Sequence, residues 1–314
     1  MGGRLRALLR EKKFIVTLGT ATPLHAMIVE RAGFDFVYLG GYDVSLELLG
    51  LPDVGFITET EMLANARNVA KAVDIPVIVD ADTGYGNAIN VIRTVQDFEG
   101  AGVAAIHIED QVSPKRCGHV AGKMIVPLEE AAGKLKAALD ARKDRDFVII
   151  ARTDAVAAAG GGLDEAVRRA KEFARIGCDM VFCEFPSADI EYPRRFAQEV
   201  HKTCPDLPLY FNYSSNLKWH ELPLTTFDAL ADMGYKAMHV SQACLRPSMQ
   251  GIWDYAVDLK ARGAQAEIDL EKRLLGHPMA AHHEFAGIPK FRTLEAKYLP
   301  GEEVAKRYKD TMGL

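Results

Sequence analysis

The sequence predicts an α/β protein, a single (β/α)8 barrel of TIM type. Eight short runs rich in β-branched and aromatic residues recur along the chain, and longer segments of helical character separate them. Neither a Gly-x-Gly-x-x-Gly turn after the first run nor a Walker lysine loop marks a doubly wound sheet instead.

Residues 1–10 read as an amphipathic helix without the apolar core of a secretion signal. The eight runs lie at 14–17, 36–39, 77–80, 105–108, 147–151, 180–183, 207–211 and 237–240. Their apolar continuity suits parallel strands buried on both faces. Helices are expected at 88–101, 128–142, 162–176 and 192–202, and a barrel so built carries its chemistry at the C-terminal strand ends. The glycines at 160–162 precede a helix but have no basic residue close by, so they read as a plain loop. Beyond the eighth run the chain is helical and charged over 251–262 and 265–275, then punctuated by proline from His277. One barrel domain is therefore expected over 1–314, with 245–314 as a C-terminal helical extension.

A chain of 314 residues, 48% of them apolar, can bury a large core. Its net charge of −5 and lack of a long basic run argue against nucleic acid as a partner and leave room for a small anion at a local basic patch. The five cysteines are odd in number and lack a Cys-x-x-Cys pair, as expected for reduced thiols in a cytoplasmic protein. No apolar stretch reaches the roughly 18 residues that cross a bilayer, so no membrane partner is expected.

The segment Lys115-Arg116-Cys117-Gly118-His119 places a thiol beside two cations and an imidazole in a glycine-containing loop, the setting of a reactive thiolate. Asp80 and Asp82 flank Ala81 at the end of the third run. Paired hard oxygens there suit Mg²⁺, with Mn²⁺ as a substitute, although loop aspartates also cap helices. Arg152 follows the fifth run and can clamp a carboxylate bidentately or pair with Asp154.

The aspartate pair, Glu109-Asp110-Gln111 and the Lys-Arg-Cys-Gly-His loop together resemble the isocitrate lyase and phosphoenolpyruvate mutase superfamily, in its cysteine-bearing branch of carbon–carbon lyases. The resemblance implies that Asp80 and Asp82 bind the metal, with Asp53 and Glu109 holding it through water. It implies that Cys117 protonates the departing carbanion, tuned by His119 and Arg116, and that Arg152 clamps a carboxylate. Tyr38, Arg152 and a metal-bound water are the candidate bases. His107 and Glu184 also match active-site positions. Gly40, Gly41 and Tyr42 match the loop that holds the 2-oxo acid, with Gly40 where isocitrate and methylisocitrate lyases have serine. Gly118 belongs to the closing loop. Asn212, Ser214, Asn216 and Ser241 match positions that hold a succinate carboxylate. The resemblance further implies a homotetramer with a helix exchanged between subunits.

The bulk of Tyr42 would crowd the methyl of pyruvate and leave room for glyoxylate, a discrimination of about 1–3 kcal/mol. The first expectation is therefore cleavage of isocitrate to glyoxylate and succinate. Cleavage of 2-methylisocitrate or 2,3-dimethylmalate, giving pyruvate, comes next, and oxaloacetate hydrolysis third. A dicarboxylate-binding barrel without catalysis is the reading of another class.

Overall fold

The computed structural model describes residues 1–223 and 225–309. Helix α1 (Gly2–Glu11) leads into β1 (Ile15–Thr20), α2 (Pro23–Arg31), β2 (Val37–Leu39), α3 (Gly41–Val44) and a π-helical turn (Ser45–Leu49). The succession continues with α4 (Glu59–Ala72), β3 (Val77–Asp80), α5 (Ala88–Gly100), β4 (Ala105–Glu109), α6 (Leu128–Ala141) and β5 (Val148–Thr153). It closes with α7 (Leu163–Arg175), β6 (Met180–Cys183), α8 (Glu191–His201), β7 (Leu209–Ser214), α9 (Phe227–Asp232) and β8 (Tyr235–Ser241). Among the described residues eight parallel strands follow one another in sequence order, and β8 pairs back onto β1 to close the barrel.

Sequence periodicity singles out four of the covering helices, and the structure adds α2, α4 and α9. Local chemistry starts two of these. Thr22 caps α2 ahead of Pro23 in its first turn, and Thr58 with Glu61 forms a capping box on α4. The seventh strand begins later than its apolar pattern suggests and runs on to Ser214, because pairing with β8 carries Asn212 opposite His239 and Ser214 opposite Ser241. Asn212 and Ser214 are thus strand residues, held to the spacing of the ladder.

Two apolar layers hold the barrel. One lies between strands and helices, with Leu39, Val79, Ile106, Ile149 and Phe173 fully buried. The other fills the lumen with Ile15, Phe36, Ile78, Val148, Ile150, Met180 and Phe182. Leu5 of α1 belongs to this lumen cluster, and Leu8 and Leu9 pack against it. At the same end Asp179 accepts hydrogen bonds from Arg6 Nη2 (2.7 Å), Arg142 Nη1 (2.6 Å) and the Ile149 N–H (2.8 Å). The site lies at the other end, where the strands run out.

The described chain forms two compact units, Met1–Ser248 and a second beginning at Met249. Helix α10 (Leu245–Arg262) runs from the first unit into the second, which also holds α11 (Ala264–Leu274), α12 (His282–Phe285), α13 (Ile288–Tyr298) and α14 (Gly301–Tyr308). No helix among the described residues is long and apolar enough to cross a membrane.

Replacing Asp179 by Ala strips two cations and a strand N–H of their shared acceptor. The expected cost is about 1–3 kcal/mol, read as a lower urea midpoint with an unchanged slope.

Candidate active site

Asp80 ends β3, and Asp82 follows two residues later with its backbone in the left-handed region (φ 46°). That turn brings the two carboxylates to one side of the barrel mouth. Asp80 Oδ1 accepts the Asp82 N–H at 3.0 Å and Asp80 Oδ2 the Gly41 N–H at 3.2 Å. A Cβ on Gly41 would lie 2.8 Å from Asp80 Oδ2, so glycine is what lets this backbone approach.

Lys115 enters from the loop after β4. Its ammonium, 3% exposed, stands 2.6 Å from Asp53 Oδ1 and 3.1 Å from Asp82 Oδ1. Arg152, near the end of β5, puts Nε 3.1 Å from Glu109 Oε2 and 2.9 Å from Asp154 Oδ2, Nη2 3.5 Å from Glu184 Oε2, and its charge over the Phe182 ring. Lys123 pairs with Asp154 at 3.1 Å and also binds the Gly118 carbonyl. His119 pairs with Glu184 at 3.2 Å.

With those last two pairs matched, Asp53, Asp80, Asp82 and Glu109 face only Lys115 and Arg152, so all four carboxyls ionised would leave two negative charges unbalanced in a buried site. Burial pushes the Asp82 carboxyl up to about 7 against the pull of Lys115, with Asp80 and Asp53 adding to the rise. Burial pushes Glu109 upward too, despite the guanidinium beside it. Asp80 is the exception, since neighbouring cations overcome burial and hold it well below the usual carboxylate range. Lys115 and Arg152 do this at neutral pH, because burial pushes His107 down to about 4 and keeps it uncharged. Asp53 Oδ1 and Asp82 Oδ1 meet only the Lys115 ammonium and Glu109 Oε2 the Arg152 guanidinium, while Glu109 Oε1 is buried without a hydrogen-bond partner. Among the described residues no three acidic, histidine or cysteine side chains are arranged to ligate one ion directly. The cluster of hard carboxylate oxygens fits Mg²⁺, which takes one or two carboxylates and reaches others through water.

The floor of the site is aromatic. Tyr38 stacks on His239, ring centroids 3.6 Å apart, and its hydroxyl lies 2.8 Å from His107 Nε2. Burial and Asp80 raise the Tyr38 phenol well above its ordinary value, and the surrounding carboxylates do the same for Arg152 against burial. Both hold their protons at neutral pH.

The loop 112–124 forms the roof. Gln111 brackets it, its side chain accepting the Arg116 N–H at 3.0 Å and donating to the Arg116 carbonyl at 2.8 Å. The Cys117 N–H donates to the Asp53 carbonyl at 3.0 Å. A Cβ on Gly118 would lie 2.6 Å from Glu184 Cγ and 3.0 Å from Arg152 Nη2, so a larger residue would hold the loop open. Burial lowers His119, but Glu184 and the hydrogen bond to Cys117 outweigh it and raise the imidazole to about 10. It is an imidazolium at neutral pH, in contact with the thiol.

The cavity at the barrel mouth measures about 40 Å³, and its lining includes Tyr38, Gly40, Gly41, Tyr42, Asp53, Asp80, Cys117, Gly118, His119, Arg152, Glu184, Asn212 and Ser241. That is room for a few water molecules, less than a di- or tricarboxylic acid fills, so a ligand of that size calls for the loop to give way. Asn212 Nδ2 holds Glu184 at 3.2 and 3.3 Å, and Ser214 Oγ lies 3.5 Å from His119 Nδ1.

Two residues assigned from sequence stand elsewhere. Arg116 is exposed and donates to the Ala121 carbonyl outside the roof, because its neighbour Lys115 takes the inward position among the carboxylates. Asn216 is exposed and lines a separate cavity of about 680 Å³, since the chain turns away after Ser214. Lys115, Asp43, His239 and Gln242 were not picked out as site residues from the sequence. A carboxyl directly after Gly40-Gly41-Tyr42 was the available signal for Asp43.

A closed barrel whose mouth gathers buried carboxylates, a fixed arginine and a loop thiol has the make-up of an enzyme active site. Residues 5–260 match the family model described as phosphoenolpyruvate phosphomutase. The chain belongs to this family, the phosphoenolpyruvate mutase and isocitrate lyase superfamily. It is 40% identical to an isocitrate lyase of Haloferax volcanii, over 98% of this chain and 89% of that one. It is 38% identical to a 2,3-dimethylmalate lyase of Eubacterium barkeri, over 95% and 98%. A crystal structure of phosphonopyruvate hydrolase with oxalate and Mg²⁺ superposes with a TM-score of 0.82 at 29% identity, covering 95% of this chain and 99% of that one.

Because the His119 value is raised on folding, the loop stabilisation it provides is fully present below about pH 6.5 and is lost as pH rises through about 10. Hydrogen exchange of residues 112–124 should show that loss. In Glu184→Gln, NMR should find His119 titrating far nearer to 6.5.

Proposed function

We propose that the protein is a Mg²⁺-dependent lyase that cleaves the carbon–carbon bond of a 2-hydroxy di- or tricarboxylic acid, with isocitrate, giving glyoxylate and succinate, as its first substrate. The observation that carries this reading is the thiol of Cys117, brought by a closing loop to a cavity shared with Arg152, Glu184 and the Asp80 carboxylate. A carbanion formed inside needs a proton from a chosen donor and protection from water, and a thiol on a lid supplies both.

Asp80 and Asp82 would hold Mg²⁺, with Asp53 and Glu109 reached through water, and the bound ion supplies Lewis acidity towards the carboxylate and carbonyl oxygens of the 2-oxo acid. Arg152, fixed by Asp154 and Glu109, clamps a substrate carboxylate. As the 2-hydroxyl loses its proton, the carbon–carbon bond breaks, its electron pair passes to the departing fragment, and a 2-oxo acid remains. Cys117 gives that fragment its proton, and the His119 imidazolium is placed to return one to the sulfur.

Tyr42 on the cavity wall and the 40% identity to an isocitrate lyase favour glyoxylate as product. The 38% identity to a 2,3-dimethylmalate lyase supports a second reading, in which a methylated acid yields pyruvate by the same steps. We propose a homotetramer in the cytoplasm as the working form. Exposed apolar side chains on α10 and at the end of α11, Ile252 (69%), Trp253 (70%) and Leu275 (80%), favour burial against another copy.

Turnover with Mg²⁺ on isocitrate, 2-methylisocitrate, 2,3-dimethylmalate and oxaloacetate tests the reading directly. Glyoxylate from isocitrate at the highest kcat/KM is expected, pyruvate from a methylated acid would select the second reading, and no cleavage of any would reject the lyase. Cys117→Ser should lower kcat by about 10²–10⁴ while oxalate binding with Mg²⁺ persists. EDTA should abolish turnover, and added Mg²⁺ restore it.

A further inference from the structure

Asp43, on α3, has no part in the steps above. It is 2% exposed, it lines the cavity, and its Oδ1 is buried without a hydrogen-bond partner. Backbone N–H groups of Gln242 and of Asp43 itself serve the carboxyl, which ties it to the end of β8. A Cβ on Gly40 would lie 2.9 Å from Asp43 Oδ2, closer than carbon and oxygen normally pack. Gly40 itself has φ −93° and ψ 138°, extended backbone that any residue adopts. Its conformation therefore places no demand for glycine. The space of a side chain at position 40 is taken first by the Asp43 carboxyl and next by the Tyr38 ring, whose Cε1 would lie 3.1 Å away.

We infer that Asp43 is a substrate-binding residue whose free oxygen meets a carboxylate oxygen of the bound 2-oxo acid, making from α3 the polar contact that Gly40 has no side chain to make. The inference deepens the proposed function and rests on its reading of the site as one for a 2-oxo acid. A carboxyl facing a carboxylate needs a proton between them. Burial supplies the condition, pushing Asp43 up to about 8, with Glu47 and Asp53 adding to the rise and the backbone N–H groups opposing it. At neutral pH the group is a donor, and the pair is a charge-assisted hydrogen bond in a closed site.

The test is the dissociation constant of oxalate in the presence of Mg²⁺, measured by calorimetry on the full chain. Asp43→Ala should weaken oxalate at least tenfold. Gly40→Ser alone should also weaken it, because the new side chain and the Asp43 carboxyl compete for one space. The double variant Gly40→Ser/Asp43→Ala should return to within about threefold of wild type, a coupling that independent sites do not show. Wild-type affinity in Asp43→Ala, a double variant as weak as the product of the single effects, or no oxalate binding by the wild type would each overturn the inference. Should Asp43→Ala not fold, the double variant decides, since binding more than tenfold weaker than wild type overturns the inference. A wild type that follows the expected pattern yet cleaves none of the four acids would remove the lyase reading and leave the Asp43 assignment standing.

Discussion

The site depends on burying more carboxyl groups than cations. Asp53, Asp80, Asp82 and Glu109 converge on Lys115 and Arg152, and Glu109 Oε1 is buried without a hydrogen-bond partner. In a low-dielectric interior such an arrangement is costly unless something positive enters. The site is thus made ready for a cation at the expense of its own stability, which is the usual bargain at a catalytic centre. Arg152 anchors the arrangement because it touches residues from β4, β5 and the end of β6 and rests on the Phe182 ring.

The same charges govern the roof. Lys115, Lys123 and His119 belong to one loop or its exit, and each reaches a carboxylate on the barrel: Asp82 and Asp53, Asp154, and Glu184. Closure is therefore electrostatic and sensitive to the content of the site. The apolar contribution is small, as Val120 and Met124 are exposed. A loop held by ion pairs over a cavity of about 40 Å³ can release them to admit a larger anion and remake them around it. Below, the Tyr38, His239 and Tyr210 stack with neutral His107 gives an aromatic floor.

Much of this was legible from the chain. Eight apolar runs marked eight strands, because a strand buried on both faces must be apolar throughout. Asp80, Asp82 and Arg152 were legible because barrel topology sends residues at C-terminal strand ends to one mouth, whereas Glu184 rested on the family resemblance alone. The seventh strand was read short at its polar end, since Asn212 and Ser214 look like turn residues until pairing with β8 holds them in the ladder. Arg116 and Lys115 are adjacent cations, and no local pattern distinguishes the one that turns inward.

What the sequence determined by itself is the order of strands and helices, the strand ends on which the chemistry sits and the loop that carries the thiol. These follow from burial periodicity and from residue types that need little context. Only the tertiary structure decided that Lys115 and not Arg116 joins the carboxylates, that Asn216 leaves the site, and that the Asp43 carboxyl fills the space beside Gly40. Each of those outcomes is set by packing and charge between segments distant in sequence or by a side-chain direction that the backbone pattern leaves open, so each exists only once the barrel has closed.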